Sequence, residues 1–330
     1  MSIASEISRL QSDSAAIASA IRAKGVTVPS SAGYDDYASL IGQISGGGGG
    51  GSSFDDWVED GNTHLWIFIQ RDYQVTQYLR LRMVGTIVWG DGTSESINAS
   101  SYTTKTHTYP NTGTGYFRID LIPDSGTTFY LGGASSSYNI MGSRSNANLY
   151  RISALYQAEI GTAVINTLSN YAFYYCIGLR RVHIPKNITT LGSNTFNACY
   201  ALRDIDFEDS SKITTATLTS NFYNCYNLQS LVDFLPAAGT AINSCVRNCY
   251  SLNEFTIQSY VTDIGANSFA NMYGLKKLYC KPTTPPTVAD ANAFTNFPTT
   301  CEIIVPSGKL TAYQTANIWS TYASQMVEAA

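Results

Sequence analysis

The sequence predicts a multidomain, mainly β protein with an N-terminal helical segment, a β-sandwich and a C-terminal solenoid of repeats. Three observations predict this fold class. Apolar residues near the N-terminus follow a heptad spacing, short alternating runs come after a glycine-rich stretch, and a motif recurs every 23 to 26 residues in the second half. The expected divisions are a helical module at 1–45, a linker at 46–53, a sandwich at 54–124, a connector at 125–148 and a solenoid at 149–330.

The composition argues against several classes of protein. The 330 residues include 20 Lys+Arg and 24 Asp+Glu, which gives a formal charge of −4, and charged residues make up only 13% of the chain. A nucleic-acid-binding protein needs a basic stripe that displaces counterions from phosphates, so nucleic acid is not an expected partner. The 44% of hydrophobic residues is enough for packed cores and argues against wholesale disorder.

No export signal or membrane insertion is expected. The first residues lack a basic head followed by an apolar block, so we predict no secretory signal. The most conspicuous apolar run, Leu65–Ile69, is far shorter than the ~18 residues that cross a bilayer.

The first 45 residues predict two helices. The heptad seam predicts a helix that ends at Gly25, and a second short helix is expected from about Asp35 to Ile44. The seam consists of Ile3, Ile7, Leu10, Ser14, Ile17 and Ile21. This segment is either a hairpin that packs on its own chain or a module for attachment and oligomerisation. The Gly46–Gly51 run lacks the Lys-Ser/Thr of a phosphate-binding loop, so we interpret 46–53 as a flexible linker.

Residues 54–124 contain short strand-like runs separated by Gly, Asn, Asp and Ser turns. The predicted strands are His64–Gln70, Tyr78–Val84, Thr86–Trp89, Thr106–Tyr109 and Tyr116–Ile122. The segment Val88–Thr93, with the sequence VWGDGT, and the later Thr106–Tyr109, with the sequence THTY, resemble the PKD (polycystic kidney disease) domain. That resemblance implies an immunoglobulin-like sandwich that serves as a spacer or adhesion module. Trp89 would then fill its core, while Asp91 and His107 would be structural turn residues rather than catalytic ones.

The second half repeats the unit Phe-x-x-Cys-x-x-Leu, with a short strand after each Leu and a turn between strands. These residues resemble the BspA-type leucine-rich repeat, which implies a solenoid in which each unit buries its apolar stripe against its neighbours. The fourth unit departs from the pattern with Val246 in place of Phe and an extra Cys245. The segment around Leu310–Trp319 resembles the helix that closes such arrays.

Chemistry-bearing motifs are absent from the sequence. The three histidines lie in different predicted elements, and HExxH, GxSxG and GxGxxG do not occur. Cys245 and Cys249 lack a second ligand pair, so we interpret the seven cysteines as buried reduced thiols. A pair of carboxylates facing each other across a glycosidase cleft stays open at this stage. We expect no catalytic, metal or cofactor site and a protein that is not an enzyme.

The strand residues between the inward-pointing positions define two candidate recognition columns, because alternate strand residues point to opposite faces. Both columns change from unit to unit while the core positions stay constant, which favours recognition; ordinary solvated strand residues are the alternative. The first column is Arg181, Asp204, Ser230, Glu254 and Lys277, and the second is His183, Asp206, Val232, Thr256 and Tyr279.

A third candidate surface is a row of tyrosines, each directly after the Cys-equivalent position: Tyr200, Tyr226, Tyr250 and Tyr273. Stacked one per unit, they predict an aromatic ladder that packs on sugar rings or on protein anchors. The alternative is aromatic packing between neighbouring turns.

The N-terminal segment resembles a module found at the front of bacteriophage and prophage tail proteins, over residues 3–44. This implies a tail-associated host-recognition protein of the virion, assembled in the host cytoplasm and released by lysis. Its partners would be a host cell-surface glycan or protein, other virion proteins through residues 1–45, and copies of itself, with a trimer suggested by fibre geometry.

Two further functions stay open. One is an architectural virion component, such as a tail or capsid decoration, without a receptor. The other is a bacterial surface adhesin of the BspA type, which the expected lack of signal and anchor disfavours.

Overall fold

A computed structural model describes residues 57–69, 76–109, 115–127, 129–132, 138–143, 154–215, 217–231 and 241–329. The predicted helical module and linker lie outside these described residues. The strands are β1 Thr63–Ile69, β2 Thr76–Arg82, β3 Val84–Val88, β4 Ser94–Asn98, β5 Thr103–Thr108, β6 Gly115–Pro123, β7 Tyr130–Leu131, β8 Tyr138–Asn139, β9 Gly142–Ser143, β10 Leu155–Glu159, β11 Thr167–Leu168, β12 Arg181–Ile184, β13 Thr190–Leu191, β14 Asp204–Phe207, β15 Thr217–Thr219, β16 Ala241–Asn243, β17 Glu254–Ile257, β18 Asp263–Ile264, β19 Lys277–Cys280, β20 Thr287–Val288, β21 Glu302–Val305 and β22 Met326–Glu328. Helix α1 is Leu310–Thr315, and 3-10 helices lie at Ser210–Lys212, Ala291–Phe294 and Trp319–Gln325.

The N-terminal β region, residues 57–143, contains two larger groups of paired strands and the short pair β8–β9. Strands β1, β6, β3 and β4 are neighbours in one antiparallel array, and β5, β2 and β7 form a second sheet. Alternating residues of both groups, including Leu65, Leu79 and Ile87, are buried in one hydrophobic cluster. Strand β4 is absent from the prediction because Ile97 is the only buried residue in its polar sequence. Strand β7 lies in the stretch predicted as a connector, where it pairs with β2.

Asp91 lies in the turn between β3 and β4, as expected, whereas His107 lies in strand β5 and contacts this turn from there, so its prediction as a turn residue is wrong. The Asp91 carboxylate accepts hydrogen bonds from the Thr93 backbone N–H at 3.0 Å and from the Thr93 hydroxyl at 2.6 Å. Its other oxygen lies 2.8 Å from His107 Nε2, and the His107 ring stacks on the buried Trp89 at 4.6 Å. These contacts fix a tight turn, because a short acidic side chain satisfies the local amides. Membership of the PKD family stays a prediction.

A single sheet joins the N-terminal β region to the first repeats. Its strand order is β14-β12-β10-β1-β6-β3-β4, in which β10 pairs antiparallel with β1 and parallel with β12. The Tyr102 hydroxyl also lies 2.7 Å from the Ser169 hydroxyl of the first repeat. Because a stack of repeats leaves an unpaired apolar end, the N-terminal β region serves as the cap of the solenoid at this end.

The repeats share a continuous buried spine. Phe173, Phe196 and Phe222 stack with ring centroids 5.3 and 5.8 Å apart and are fully buried. The thiol of Cys199 donates to the carbonyl of Phe173 in the preceding unit at 3.1 Å, and the thiols of Cys225 and Cys249 make the equivalent bonds. A small side chain with a weak donor fits this position, which explains the recurring Cys. All seven cysteines are free and buried.

The segments predicted as turns between strands differ from the prediction, because they contain a second series of parallel strands. Strands β15, β16, β18 and β20 form one sheet, and β11 pairs with β13. After each such strand the chain turns through residues with positive φ, among them Asn224 at 63°, Asn248 at 61° and Asn271 at 60°. Their side chains form an asparagine ladder: Asn248 Nδ2 donates to Asn224 Oδ1, and Asn271 Nδ2 to Asn248 Oδ1, both at 2.7 Å. Asn suits this position because it adopts the left-handed conformation at low cost.

The C-terminal end of the solenoid is covered by helix α1 and the 3-10 helix that follows it. Tyr313 and Trp319 are fully buried there, and the Trp319 ring packs edge-on against Phe294 at 5.3 Å. The Trp319 indole N–H donates to the Pro286 carbonyl at 2.9 Å. Strand β22 extends the parallel sheet beside β21. These contacts keep the last repeat from exposing its core.

Candidate functional site

The four predicted tyrosines form a ladder along one edge of the repeats. The rings of Tyr200 and Tyr226 stack at 4.9 Å with an interplanar angle of 4°, and those of Tyr226 and Tyr250 at 4.8 Å and 2°. Tyr273 is tilted by 39° against Tyr250 and is 58% exposed. The inner rings therefore use their faces on each other. The free surface consists of ring edges and, at the C-terminal end, the Tyr273 ring. Ligand binding by this ladder stays a prediction.

The first two members of each predicted column lie on strands β12 and β14 of the shared sheet. On the other side of β12, strand β10 connects this row to the N-terminal β region. Arg181 is the register partner of Asp204 on one side and of Gln157 on the other. His183 is likewise paired in register with Asp206, and its Nδ1 lies 2.8 Å from an Asp206 carboxylate oxygen. The structure therefore brings Arg181, His183, Asp204 and Asp206 together on the outer face of β12 and β14.

Part of this face is covered by the chain itself. The Trp57 ring lies 5.4 Å from the His183 ring, and the Arg181 guanidinium lies 4.8 Å from the centre of the Trp57 ring. The buried Glu159 carboxylate accepts hydrogen bonds from the backbone N–H groups of Val58 and Glu59, both at 2.7 Å. This pairing holds the segment on the sheet, since a buried carboxylate needs partners. His183 is therefore only partly accessible to a ligand.

A cluster of charged residues around the single histidine His64, the histidine cluster, lies beside this segment. The buried His64 ring has its Nδ1 2.7 Å from Asp120 and its Nε2 2.9 Å from Asp60, while Arg118 Nε donates to Asp120 at 2.7 Å. Burial alone would lower the pKa of His64, but the hydrogen bonds to Asp120 and Asp60 outweigh it and raise that pKa above its ordinary value. Against the effect of burial, the pKa of Asp60 is lowered by the hydrogen bond from the Asn62 backbone N–H and then by His64, and that of Asp120 by hydrogen bonds to His64 and Arg118. The cluster is an ion-pair network inside the fold.

The C-terminal members of the columns lie on a separate sheet. Glu254 is the register partner of Lys277, which is followed by Glu302, so charges alternate along this row. Thr256 and Tyr279 are paired in the second row. The series of strands that carries these columns has no described member between β14 and β17: Ser230 is exposed outside any strand, and Val232 lies outside the described residues. The two halves of each predicted column are therefore not shown as one continuous row.

The described residues contain no group of three or more His, Cys, Asp or Glu side chains that could hold a metal ion. Burial raises the pKa of the repeat-core thiols, Cys176 among them, which keeps them protonated. Among the helices in the described ranges, none is both long and apolar enough to span a membrane.

Three kinds of residue were missed by the sequence reasoning. Trp57 and Glu159 fix the segment over the strand face, but no periodic pattern marks either of them. The asparagine ladder had a visible signal, because Asn precedes the Cys-equivalent position in Asn224-Cys225, Asn248-Cys249 and Asn271-Met272. Gln157 lies in register between Trp66 and Arg181, which only the strand pairing reveals.

Comparison with known proteins identifies the repeats. Residues 147–276 match, in six copies, the family described as BspA type leucine rich repeat region. No curated protein matches the chain. The chain is similar to a leucine-rich repeat protein of T. pallidum at 17% identity, covering 51% of this chain and 81% of that one with a TM-score of 0.37.

Two longer solved structures are also similar. A leucine-rich cell surface protein of Faecalibacterium prausnitzii is 22% identical, with 59% of this chain and 42% of that chain covered and a TM-score of 0.33. A leucine-rich repeat protein of Bacteroides ovatus is 17% identical, with 56% and 52% covered and a TM-score of 0.37. The chain thus spans about half the length of these two proteins.

Proposed function

Because residues 147–276 form BspA-type leucine-rich repeats, we propose that the chain is a non-enzymatic recognition protein. It binds a cell-surface glycan or protein through the outer faces of its repeats. Single contacts at such faces are weak, and several copies of the chain on one particle or cell multiply them.

One observation carries this proposal: the outer strand positions differ between units, whereas the buried positions are constant. In register, Arg181 faces Asp204 in the next unit, and Glu254 faces Lys277. The equivalent core residues are apolar and fully buried in each of these units, for example Leu179, Leu202, Leu252 and Leu275. Opposite charges in register also stabilise neighbouring strands, and recognition uses such patterns for specificity.

The finer assignment is host recognition by a phage tail. The resemblance of residues 3–44 to tail modules supports it, with residues 1–45 as the attachment to other virion proteins. The match to BspA-type repeats favours a bacterial surface adhesin equally well as a second candidate. Immunogold labelling separates the two, because a tail protein labels particles released by lysis and an adhesin labels the surface of intact cells.

The proposed function is tested by the binding of the labelled full chain to intact bacterial cells, with unlabelled chain as competitor. We expect saturable binding that the competitor removes. Binding to no cell type, together with stable incorporation into particles, would instead identify an architectural component.

A further inference from the structure

A groove lies where the N-terminal β region meets the first repeats. Its volume is about 890 Å³, within the range of ~300–1,000 Å³ typical of small-molecule sites. Strands β1, β10, β12 and β14 contribute neighbouring residues to its lining, and the turns that precede the repeat strands complete it. We call it the junction groove. The junction groove was not predicted from the sequence, although Arg181 and Asp204 of the first predicted column contribute to its lining.

At the β1 end the junction groove has an aromatic platform. The rings of Phe68 and Tyr116 stack at 4.2 Å with an interplanar angle of 24°, and Tyr156 packs edge-on against Tyr116 at 5.7 Å. Tyr116 is nevertheless 46% exposed. Because all three residues lie on strands of the shared sheet, the platform is preformed. Phe68 covers one face of the Tyr116 ring, so the remaining exposed side of Tyr116 is the surface that packs against the C–H face of a pyranose ring.

The middle of the junction groove holds a buried amide without a partner. Gln157 is 2% exposed, and within the described ranges its side-chain Nε2 makes no hydrogen bond. This nitrogen is closed off from solvent, so a ligand in the groove does not reach it, and the accessible amides are those of exposed residues. Asn227 and Gln229 add further amides to the lining. These groups suit the hydroxyl groups of a carbohydrate.

The β14 end is positively charged. Arg180, Arg181 and Arg203 line the groove together with a single acid, Asp204. Neither Arg180 nor Arg203 forms an ion pair with any carboxylate of the described residues, and both are exposed. Arg203 Nε donates to Gln229 Oε1 at 3.2 Å, which helps to position it. In a chain with a net charge of −4, this local excess of guanidinium groups marks a site for an anion.

We propose that the junction groove binds an acidic oligosaccharide. A sugar ring packs against the exposed ring of Tyr116, and a carboxylate of the oligomer is held by Arg180 and Arg203. This inference rests on the proposed surface recognition and specifies its ligand class. The aromatic platform and the lining amides favour a sugar over an acidic peptide, for which flat ring faces are not needed.

The test uses the full chain and three probes: an oligogalacturonate, the same oligomer with its carboxyl groups reduced, and a polyglutamate peptide. Affinities are measured by calorimetry at low and high salt. We expect the oligogalacturonate to bind about tenfold or more tighter than its reduced counterpart, with a preference that high salt weakens.

Variants locate the site. Arg180→Ala combined with Arg203→Ala weakens oligogalacturonate binding about tenfold or more, because two charge-assisted contacts are lost. The matched control is Lys276→Ala combined with Lys281→Ala, which removes the same charge from exposed positions outside the groove and changes binding by less than about twofold. Melting curves of each variant establish that it is folded.

Several results would overturn the assignment. These are equal binding of the reduced oligomer, equal losses in the arginine and lysine variants, or polyglutamate binding as tightly as the sugar. Cell binding without any oligogalacturonate binding would overturn the groove ligand alone and leave surface recognition standing. Absence of binding to any cell and to every probe would overturn both.

Discussion

Replacement of Asn248 by alanine tests how the repeats are held in register. Its side chain donates to Asn224 Oδ1 and accepts from Asn271 Nδ2, both at 2.7 Å, and its φ is 61°. Loss of two hydrogen bonds lowers the free energy of unfolding by about 2 kcal/mol. An alanine in the left-handed region adds about 1 kcal/mol. We therefore expect Asn248→Ala to destabilise the chain by about 3 kcal/mol.

Asn248→Gly separates these two effects. Glycine adopts positive φ without a steric penalty, so this variant loses only the hydrogen bonds, about 2 kcal/mol. Asn253→Ala is the control, because Asn253 is exposed in the same repeat and lies outside the left-handed positions; its effect is expected within about 0.5 kcal/mol. Urea unfolding followed by tyrosine and tryptophan fluorescence measures all three variants. Equal losses for alanine and glycine, or losses no larger than the control, would refute the reasoning.

Three further predictions concern the tyrosines, the histidine cluster and the thiols. Tyr226→Ala loses stacking on both sides and lowers the free energy of unfolding by about 1–3 kcal/mol. Tyr273→Ala lowers it by less than about 1 kcal/mol, because this ring is exposed, and is the cleaner test of ligand binding. Equal losses of the two variants in urea unfolding would contradict the stacked geometry. The raised pKa of His64 means that its contribution is complete below the unfolded value of about 6.5 and is lost as pH rises through the folded pKa. The free energy of unfolding of the His64→Gln variant should therefore fall less between mildly acidic and mildly alkaline pH than that of the unmodified chain. An unchanged pH dependence would show that this cluster does not cause the fall. Ellman's reagent should leave Cys225 and Cys249 unmodified in the folded chain and label them after denaturation, because burial raises their pKa well above the ordinary value; rapid labelling of the folded chain would contradict their burial.

The repeat spine could be predicted from sequence because its period encodes burial directly. Phe196, Cys199 and Leu202 recur in the same phase as their counterparts in the neighbouring units, and all three are fully buried. The turn at Asp91 was also predictable, since the glycines on both sides adopt positive φ, at 82° and 90°, and a short acidic side chain accepts from nearby backbone amides.

The second series of strands could not be predicted in the same way. Thr190–Leu191 is only two residues long, and its hydrogen bonds come from Thr167–Leu168 in another repeat, so nothing local distinguishes it from a turn. The repeat period of the sequence does not identify these two-residue strands, because only one buried apolar residue of each strand recurs.

The junction groove depends on a contact that no local pattern encodes. Tyr116 and Arg203 are brought to one site because β1 pairs antiparallel with β10, and the alternation of each strand is compatible with other neighbours. The tyrosine ladder illustrates the same limit. The spacing of Tyr226 and Tyr250 predicted a ladder, but only the structure shows that their faces are turned toward each other.

The central claim is that recognition belongs to the outer faces and stability to the buried spine. Cell binding and melting temperature measured on the same preparations test this claim most directly. The account predicts that Arg180→Ala combined with Arg203→Ala lowers cell binding at an unchanged melting temperature. It also predicts that Asn248→Ala lowers the melting temperature while the folded chain binds cells as the unmodified chain does. Cell binding that falls only in proportion to lost stability, in both variants, would contradict it.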